Sequence, residues 1–265
     1  FGIGQPESSL RLDSEKILAH ESQLIVSTTE RELDQLTKYY GVGPEKVVII
    51  PCGVDLQLFR PISTTIARNQ LGYLKNDVIL LYVGRIDPLK GIDRLLEALA
   101  CLIPQHKVKM VIVGGDIPLT EEEIRLHGLV ASLNIQDQVI FVGPVEQRNL
   151  PLYYSAVDAL VIPSYYESFG LVALESLACG TPVVGTTVGA IDQIIKGEGS
   201  GHIVESNSTH TLAENIGSFL SSVETRKKSL MSANIRDSIR QFSWSAVANR
   251  LSKVYMNICH SGVMI

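Results

Sequence analysis

Two stretches of this sequence combine residue types that together could grip an anion. In the first, Gly84-Arg85-Ile86-Asp87-Pro88-Leu89-Lys90-Gly91, Arg85 offers a planar fork of donors and Lys90 a point charge. Gly84 lets the backbone turn sharply and Pro88 stiffens the loop. Two cations on one loop suit a diphosphate, although the segment taken alone favours a plainer assignment, two solvated surface charges. The second stretch runs Pro163-Ser164-Tyr165-Tyr166-Glu167-Ser168-Phe169-Gly170-Leu171-Val172-Ala173-Leu174-Glu175. Phe169, Gly170 and Leu171, with Ser168 before them, stand at the start of a predicted helix. There main-chain N–H groups lack intrahelical acceptors and form a cradle for phosphate oxygens, and Gly170 permits close approach. Glu175 falls deeper in that helix among Ala173, Leu174, Leu177 and Ala178, where an ionised carboxylate needs donors to offset its desolvation; ribose hydroxyls would serve. Glu167 could accept from the hydroxyls of a bound sugar, or simply face the positive end of the helix.

Other chemistries find no foothold. Gly41-x-Gly43 with Lys46 has the look of a dinucleotide loop, but it follows a helical segment and precedes a strand, the reverse of the required order, and reads as a helix stop. The six histidines, His20, His106, His127, His202, His210 and His260, include no pair at metal-ligand spacing and read as surface or satisfied core residues. No G-x-S-x-G follows a strand. Cys52, Cys101, Cys179 and Cys259 are far apart and read as thiols of a reducing compartment. The sequon Asn207-Ser208-Thr209 would matter only in a secreted chain and is read as chance.

The elements that must hold these stretches follow from hydrophobic periodicity. From about Asp77, β-branched runs at Val78–Val83, Val108–Val113, Val139–Val142, Ala159–Ile162, Pro182–Gly185 and, more weakly, Ile203-Val204 alternate with helical patterns near 91–103, 120–133, 147–155, 170–179 and 190–196. This order predicts an α/β fold, a Rossmann-like doubly wound parallel sheet. Both anion-gripping stretches then leave the carboxyl ends of strands, where open α/β sheets bind ligands. Residues 208–258 read as helix after helix, with Ser243 a cap before Trp244. The first part shows a helix near 13–22, a strand at Leu24–Ser27, a helix at 30–40 and a strand at Val47–Ile50. A lone βαβ segment of this kind cannot bury both faces of its sheet. Because the chain also opens on Phe1, this segment is expected to be the tail of a domain whose earlier part is missing, with an exposed edge strand.

With 45% hydrophobic and 19% charged residues, the 265-residue chain is expected to pack a core. A formal charge of −5 with no basic block excludes nucleic acid as an expected partner. No apolar run approaches the roughly 20 residues of a membrane span.

Gly84-Arg85 with Lys90-Gly91, and Pro163-Ser164-x-x-Glu167-Ser168-Phe169-Gly170-Leu171-x-x-x-Glu175 followed by Ala178-x-Gly180-x-Pro182-Val183-Val184, resemble the retaining GT-B glycosyltransferases of family 4. Ile49-Ile50-Pro51-x-Gly53-Val54-Asp55-x-x-x-Phe59-x-Pro61 resembles that family's interdomain linker, and the Trp244–Tyr255 segment its terminal helix. The wording of Ser164–Val184 is similar to the branch holding the inositol-phosphate transferases of mycothiol synthesis and the sucrose-phosphate synthases.

The resemblance implies the C-terminal half of a GT-B fold, divided into 1–55, the remnant of an N-terminal domain; 56–76, a linker; 77–240, the donor-binding domain; and 241–265, a helix packing back toward the N-terminal segment. It implies a nucleotide-sugar donor, UDP-linked by resemblance alone, and an acceptor that the sequence does not identify. Arg85, Lys90 and Glu167 would be catalytic. Gly84, Arg85, Lys90, Glu167, Ser168, Phe169, Gly170, Leu171 and Glu175 would bind donor, with the base near Gly143-Pro144-Val145, contacted by the backbone at Val145. No metal or other cofactor is expected, since the family works without an Asp-x-Asp metal motif. A cytoplasmic location is expected, and peripheral membrane contact stays open. The partner expected is the missing N-terminal domain; without it the chain would be weakly active or inactive. The alternative is a non-catalytic nucleotide-sugar-binding module.

Overall fold

The computed structural model describes residues 9–196, 199–206, 208–224 and 234–260. Asn207 of the sequon lies outside them. The chain divides into two compact units, one made by the described residues up to Gly53 together with those from Trp244 onward, the other spanning Val54–Ser243.

In the first unit, helix α1 (Ser9–Glu21), strand β1 (Ile25–Ser27), helix α2 (Glu30–Tyr40) and strand β2 (Val47–Ile49) precede the terminal helix, which covers Trp244–His260. β1 and β2 pair in parallel, with Val26 exposed. Thr29 caps α2 by accepting from the Glu32 N–H. Gly41 ends it at φ 69°, so the Gly41-x-Gly43 stretch is indeed a helix stop. Gly53 lies against the Trp244 indole: a Cβ there would sit 2.7 Å from a ring carbon.

The second unit is built on a six-stranded parallel sheet. In chain order it runs α3 (Thr64–Leu71), β3 (Val78–Val83), α4 (Ile92–Leu102), β4 (Val108–Val113), α5 (Glu121–Ser132), β5 (Val139–Gly143), α6 (Leu150–Ala156), β6 (Ala159–Ile162), α7 (Leu171–Ala178), β7 (Val183–Thr186), α8 (Ile191–Ile194), β8 (Gly201–Val204) and α9 (Thr209–Glu224), then a helical stretch at 234–238 (α10). The helix of Trp244–His260 is therefore α11. The strands lie in the order β5-β4-β3-β6-β7-β8. Chain direction across the sheet reverses between β3 and β6, which makes their carboxyl ends the topological switch point of a doubly wound fold. Strands with helices on both faces are apolar on both, as the continuous runs foretell. Leu80, Tyr82, Met110 and Ile112 pack with Leu95 and Leu99 of α4, Leu126 of α5 and Ile216 of α9, while the alternate residues Ile79, Leu81, Val111 and Leu160 are fully buried as well.

Two readings need adjustment. The segment 56–76, read as a linker, contains α3 and belongs to the second unit. A polar anchor holds it: Arg68, buried, donates to the carbonyls of Ala156 (2.7 Å), Lys75 (2.7 Å) and Asp77 (2.9 Å) and pairs with Asp158 at 3.1 Å. Arg236 adds bonds to the carbonyls of Leu56 and Phe59, each at 2.6 Å. β8 opens at Gly201, earlier than the apolar pair Ile203-Val204 indicated, since a Cβ at 201 would fall 1.7 Å from the Val183 carbonyl and only glycine allows that pairing. All four cysteines are free; Cys179 is buried and its thiol pushed up by burial, whereas Cys101 and Cys259 are exposed. Among the described residues no helix is long and apolar enough to cross a membrane.

Asp158 also accepts from the Ile79 N–H at 2.8 Å, so it joins α3 to the start of β3. Both members of the pair are almost wholly buried, at 5% and 7% side-chain exposure. Asp158→Ala would leave the Arg68 charge buried without its counter-ion, and is expected to cost about 3–5 kcal/mol in a urea-unfolding measurement. A loss below about 1 kcal/mol would show that α3 is not anchored by this pair.

Candidate functional site

The two anion-gripping stretches leave β3 and β6, the adjacent strands at the switch point, and are joined directly to each other. The Leu89 carbonyl accepts from the Tyr165 N–H at 2.8 Å. Gly91, at φ 64°, sits so near the second loop that a Cβ would fall 2.3 Å from the Pro163 carbonyl oxygen. Conformation and proximity both demand glycine there. Asp87 shapes the first loop by capping its 3-10 turn, accepting from the Leu89 N–H at 2.9 Å.

This junction places Lys90 Nζ 2.8 Å from Glu167 Oε1, which also accepts from Ser164 Oγ at 2.8 Å. The two side chains are only 15% and 16% exposed, so the pair is screened far less than a surface ion pair. Ser164 is itself held, its carbonyl accepting from Thr186 Oγ1 of β7 at 2.7 Å. Arg85 is arranged differently from the sequence reading. Its side chain is 83% exposed and pairs with Asp87 at 3.4 Å, so it does not join Lys90 in this conformation. The reason is geometric: the Arg85 carbonyl accepts from the Tyr82 hydroxyl at 2.6 Å, which fixes the backbone while leaving the long side chain in water. Gly84 precedes it at the end of β3, its N–H bonded to the Val113 carbonyl at 3.1 Å.

Beyond Glu167 the chain enters α7 through Ser168, Phe169 and Gly170. Gly170 is the N-cap, at φ 101°, and no side chain caps the helix. Within the first turn the Ala173 N–H bonds the Gly170 carbonyl at 2.9 Å, while the Leu171 N–H, at the first helical position, has no acceptor within the helix. Ser168 and Leu171 are exposed, while Phe169 is buried in an edge-on contact with Phe242 at 6.4 Å. Phe169 thus anchors the turn by its side chain. A wall that the sequence reading did not include closes this side: the Ala190 N–H donates to the Phe169 carbonyl at 2.9 Å, and a Cβ on Gly189 would meet the carbonyl oxygens of Phe169 and Glu167 at 2.8 and 3.1 Å. The signal available was the glycine shortly after β7.

Glu175, half-buried on α7, already has donors: Tyr154 Oη at 2.7 Å and the Gln147 side chain. Burial pushes its carboxyl above the usual range, and the two hydrogen bonds pull it partly back. A carboxylate has about four acceptor positions, so capacity remains for a ligand hydroxyl. Gln147 lies two residues beyond Val145, itself half-buried, and so ties the segment after β5 to Glu175. The carboxyl ends of β3, β4 and β5 also approach closely: the Gly114 N–H bonds the Gly143 carbonyl at 2.9 Å, and a Cβ on Gly114 would fall 1.8 Å from the Gly84 carbonyl oxygen. Among the described residues no group of three or more His, Cys, Asp or Glu could hold a metal ion.

Comparison with known proteins places the chain in a family. The family model for glycosyl transferases group 1 matches residues 63–235, and that for glycosyltransferase family 4 matches residues 2–58. A D-inositol 3-phosphate glycosyltransferase of Geodermatophilus obscurus is 37% identical over 257 residues, which is 95% of this chain but 56% of that protein. The chain thus spans little more than half the length of this curated relative. Among solved structures, the sucrose-phosphate synthase of Thermosynechococcus elongatus superposes with a TM-score of 0.85 at 33% identity, covering 97% of this chain and 63% of that one. Anabaena Alr3699/HepE, solved with UDP and glucose, shares the fold with a TM-score of 0.81 at 22% identity, covering 94% of this chain and 67% of that one. The sheet order, the two joined loops and the group 1 match over most of the second unit lead to one conclusion: the chain belongs to the group 1 glycosyl transferases and has the Rossmann-like parallel sheet of the GT-B fold.

Proposed function

We propose that this chain is the donor-binding half of a retaining glycosyltransferase, which moves a sugar from a nucleotide diphosphate sugar, UDP-linked, to an acceptor hydroxyl. The observation that carries the reading is the shielded Lys90–Glu167 pair, set beside the side-chain-free N-terminus of α7 at the switch point of the sheet. A pyrophosphate entering there takes Lys90 as counter-ion and the amides of Phe169, Gly170 and Leu171 as donors. Glu167, released from Lys90, accepts from hydroxyls of the donor sugar. Arg85 completes the grip by turning in from Asp87, at small cost because an exposed ion pair contributes little. Glu175 accepts from the ribose, and Val145 lines the base.

In the transfer step the bond from the anomeric carbon to the β-phosphate oxygen breaks, and its electron pair stays on that oxygen. The acceptor oxygen bonds to the same carbon on the same face and gives its proton to the departing phosphate. Lys90 and Arg85 stabilise the charge that grows on the phosphate, which is where positioned cations lower a barrier. They supply the positive charge that a metal would otherwise bring, so the reading calls for no metal or other cofactor. The first unit, up to Gly53 with the residues from Trp244, belongs on this reading to an acceptor-side domain, and Val54–Ser243 forms the donor domain; the acceptor is a molecule yet to be identified. A nucleotide-sugar donor and four free thiols fit a cytoplasmic setting.

Titration calorimetry with UDP, GDP and ADP tests the site. UDP is expected to bind, and Lys90→Ala to weaken it by about tenfold or more, about 1.4 kcal/mol. A folded chain that binds none of the three at millimolar concentration overturns the reading. Glu175 supplies a second test. Its carboxyl is raised above its ordinary 4.5 in the folded state, so the unfolded chain loses that proton first, and stability falls as pH rises from near 4.5 through the raised value. Glu175→Gln is therefore expected to be more stable than wild type at pH 7, with the advantage vanishing below pH 4.5, and to bind UDP more weakly. Thermal unfolding across that range, with titrations at pH 7, checks both.

A further inference from the structure

We propose that Arg94 is a positioning residue: it fixes the spacing of the two loops and thereby the alignment of Lys90 with the amides of residues 169–171. The proposal rests on the donor-site reading above and deepens it. Arg94 lies in the first turn of α4 and is only 3% exposed. Its Nη2 donates to the Pro163 carbonyl, the first residue after β6. Its guanidinium lies 4.4 Å from the centroid of the Tyr165 ring. Tyr165 in turn donates its N–H to Leu89, next to Lys90.

These contacts close a ring that runs from Leu89 through Tyr165 to Arg94 and back along α4 to Gly91. Pro163 O is the shared contact point, approached by Gly91 from one side and by Arg94 from the other. A buried guanidinium is costly, and burial lowers the Arg94 pKa. An apolar side chain would fill the same volume at less cost but would leave the Pro163 carbonyl and the face of Tyr165 without their cation. What the arginine adds is a fixed separation between the loop that carries the ammonium and the loop that carries the amides. A diphosphate bridging the two is sensitive to that separation, since a misplacement of about 1 Å costs on the order of a hundredfold in a well-aligned site.

The test separates the β-phosphate contribution from all others. Dissociation constants of UDP and UMP are measured by calorimetry for the 265-residue chain and for Arg94→Met, Arg94→Lys and Tyr165→Leu. Arg94→Met is expected to weaken UDP by about tenfold while UMP stays within about twofold, collapsing the UDP-to-UMP preference. Arg94→Lys should recover part of that preference, and Tyr165→Leu should lose a smaller part. A general structural role would instead weaken both ligands in parallel, and that result, or an unchanged preference in Arg94→Met and Tyr165→Leu, overturns the proposal. If Arg94→Met does not fold, Tyr165→Leu, altered at a partly exposed ring, decides alone. Failure of wild type to bind either nucleotide would sink the donor-site reading itself, whereas wild-type binding with the preference intact in the variants sinks only the role of Arg94.

Discussion

The chemistry of this protein depends on the contact between two loops at the switch point of its sheet. Adjacent parallel strands whose connections run in opposite directions leave a crevice at their carboxyl ends, and the crevice becomes a site only if the chains leaving it are held at a fixed distance. Here backbone contacts hold that distance, the Leu89 carbonyl on the Tyr165 N–H and Gly91 pressed on the Pro163 carbonyl, which Arg94 also engages. Glycine at 91 is required twice over, for its left-handed conformation and for the absence of a Cβ. Every charged group of interest is carried by a segment that this contact positions.

The rest of the second unit holds the junction rigid. β3 and β6 are buried on both faces, so neither strand end can shift without disturbing a close-packed core. At the opposite end, Arg68 and Asp158 tie α3 to the start of β3 and to the turn before β6. Thr186, Gly189 and Ala190 brace the second loop from β7 and the segment after it. The polar groups are thereby prearranged, which matters because groups fixed in advance need no reorganisation as charge develops beside them.

Charge is distributed unevenly across the site. Lys90 and Glu167 neutralise one another in partial shelter, with Ser164 as a third member, while Arg85 waits in solvent against Asp87. In this conformation one cation of the candidate site is shielded and the other lies in solvent. Glu175 is a separate compartment, a carboxylate whose desolvation is offset by Tyr154 and Gln147. Stability and binding pull in opposite directions there, because the same burial that raises the carboxyl makes it a strong acceptor for a hydroxyl that reaches it.

Periodicity placed every strand of the main sheet to within a few residues, because a strand covered on both faces must be apolar along its length. The same logic put both anion-gripping loops at strand ends. It overlooked α3, whose anchor is a buried guanidinium, and the wall around Gly189, whose role is to come close to carbonyls rather than to bear a side chain. Lys90, Glu167, Glu175 and Arg85 could be picked out as candidates from residue type and context, since anion binding draws on few side chains. Their pairing could not: the positions of Lys90 and Glu167 are far apart in the chain, and only the crossing of strands brings the two atoms to 2.8 Å. Nothing in the local sequence distinguishes Arg94 from any other helix cation. The sequence by itself determined the strand and helix order, and hence where a site must lie, because hydrophobic patterning is a local property of the chain. Which cation is paired, which is free to turn and which carbonyl is gripped by a buried arginine were decided by the tertiary structure alone, because those are distances between residues that the chain itself does not relate.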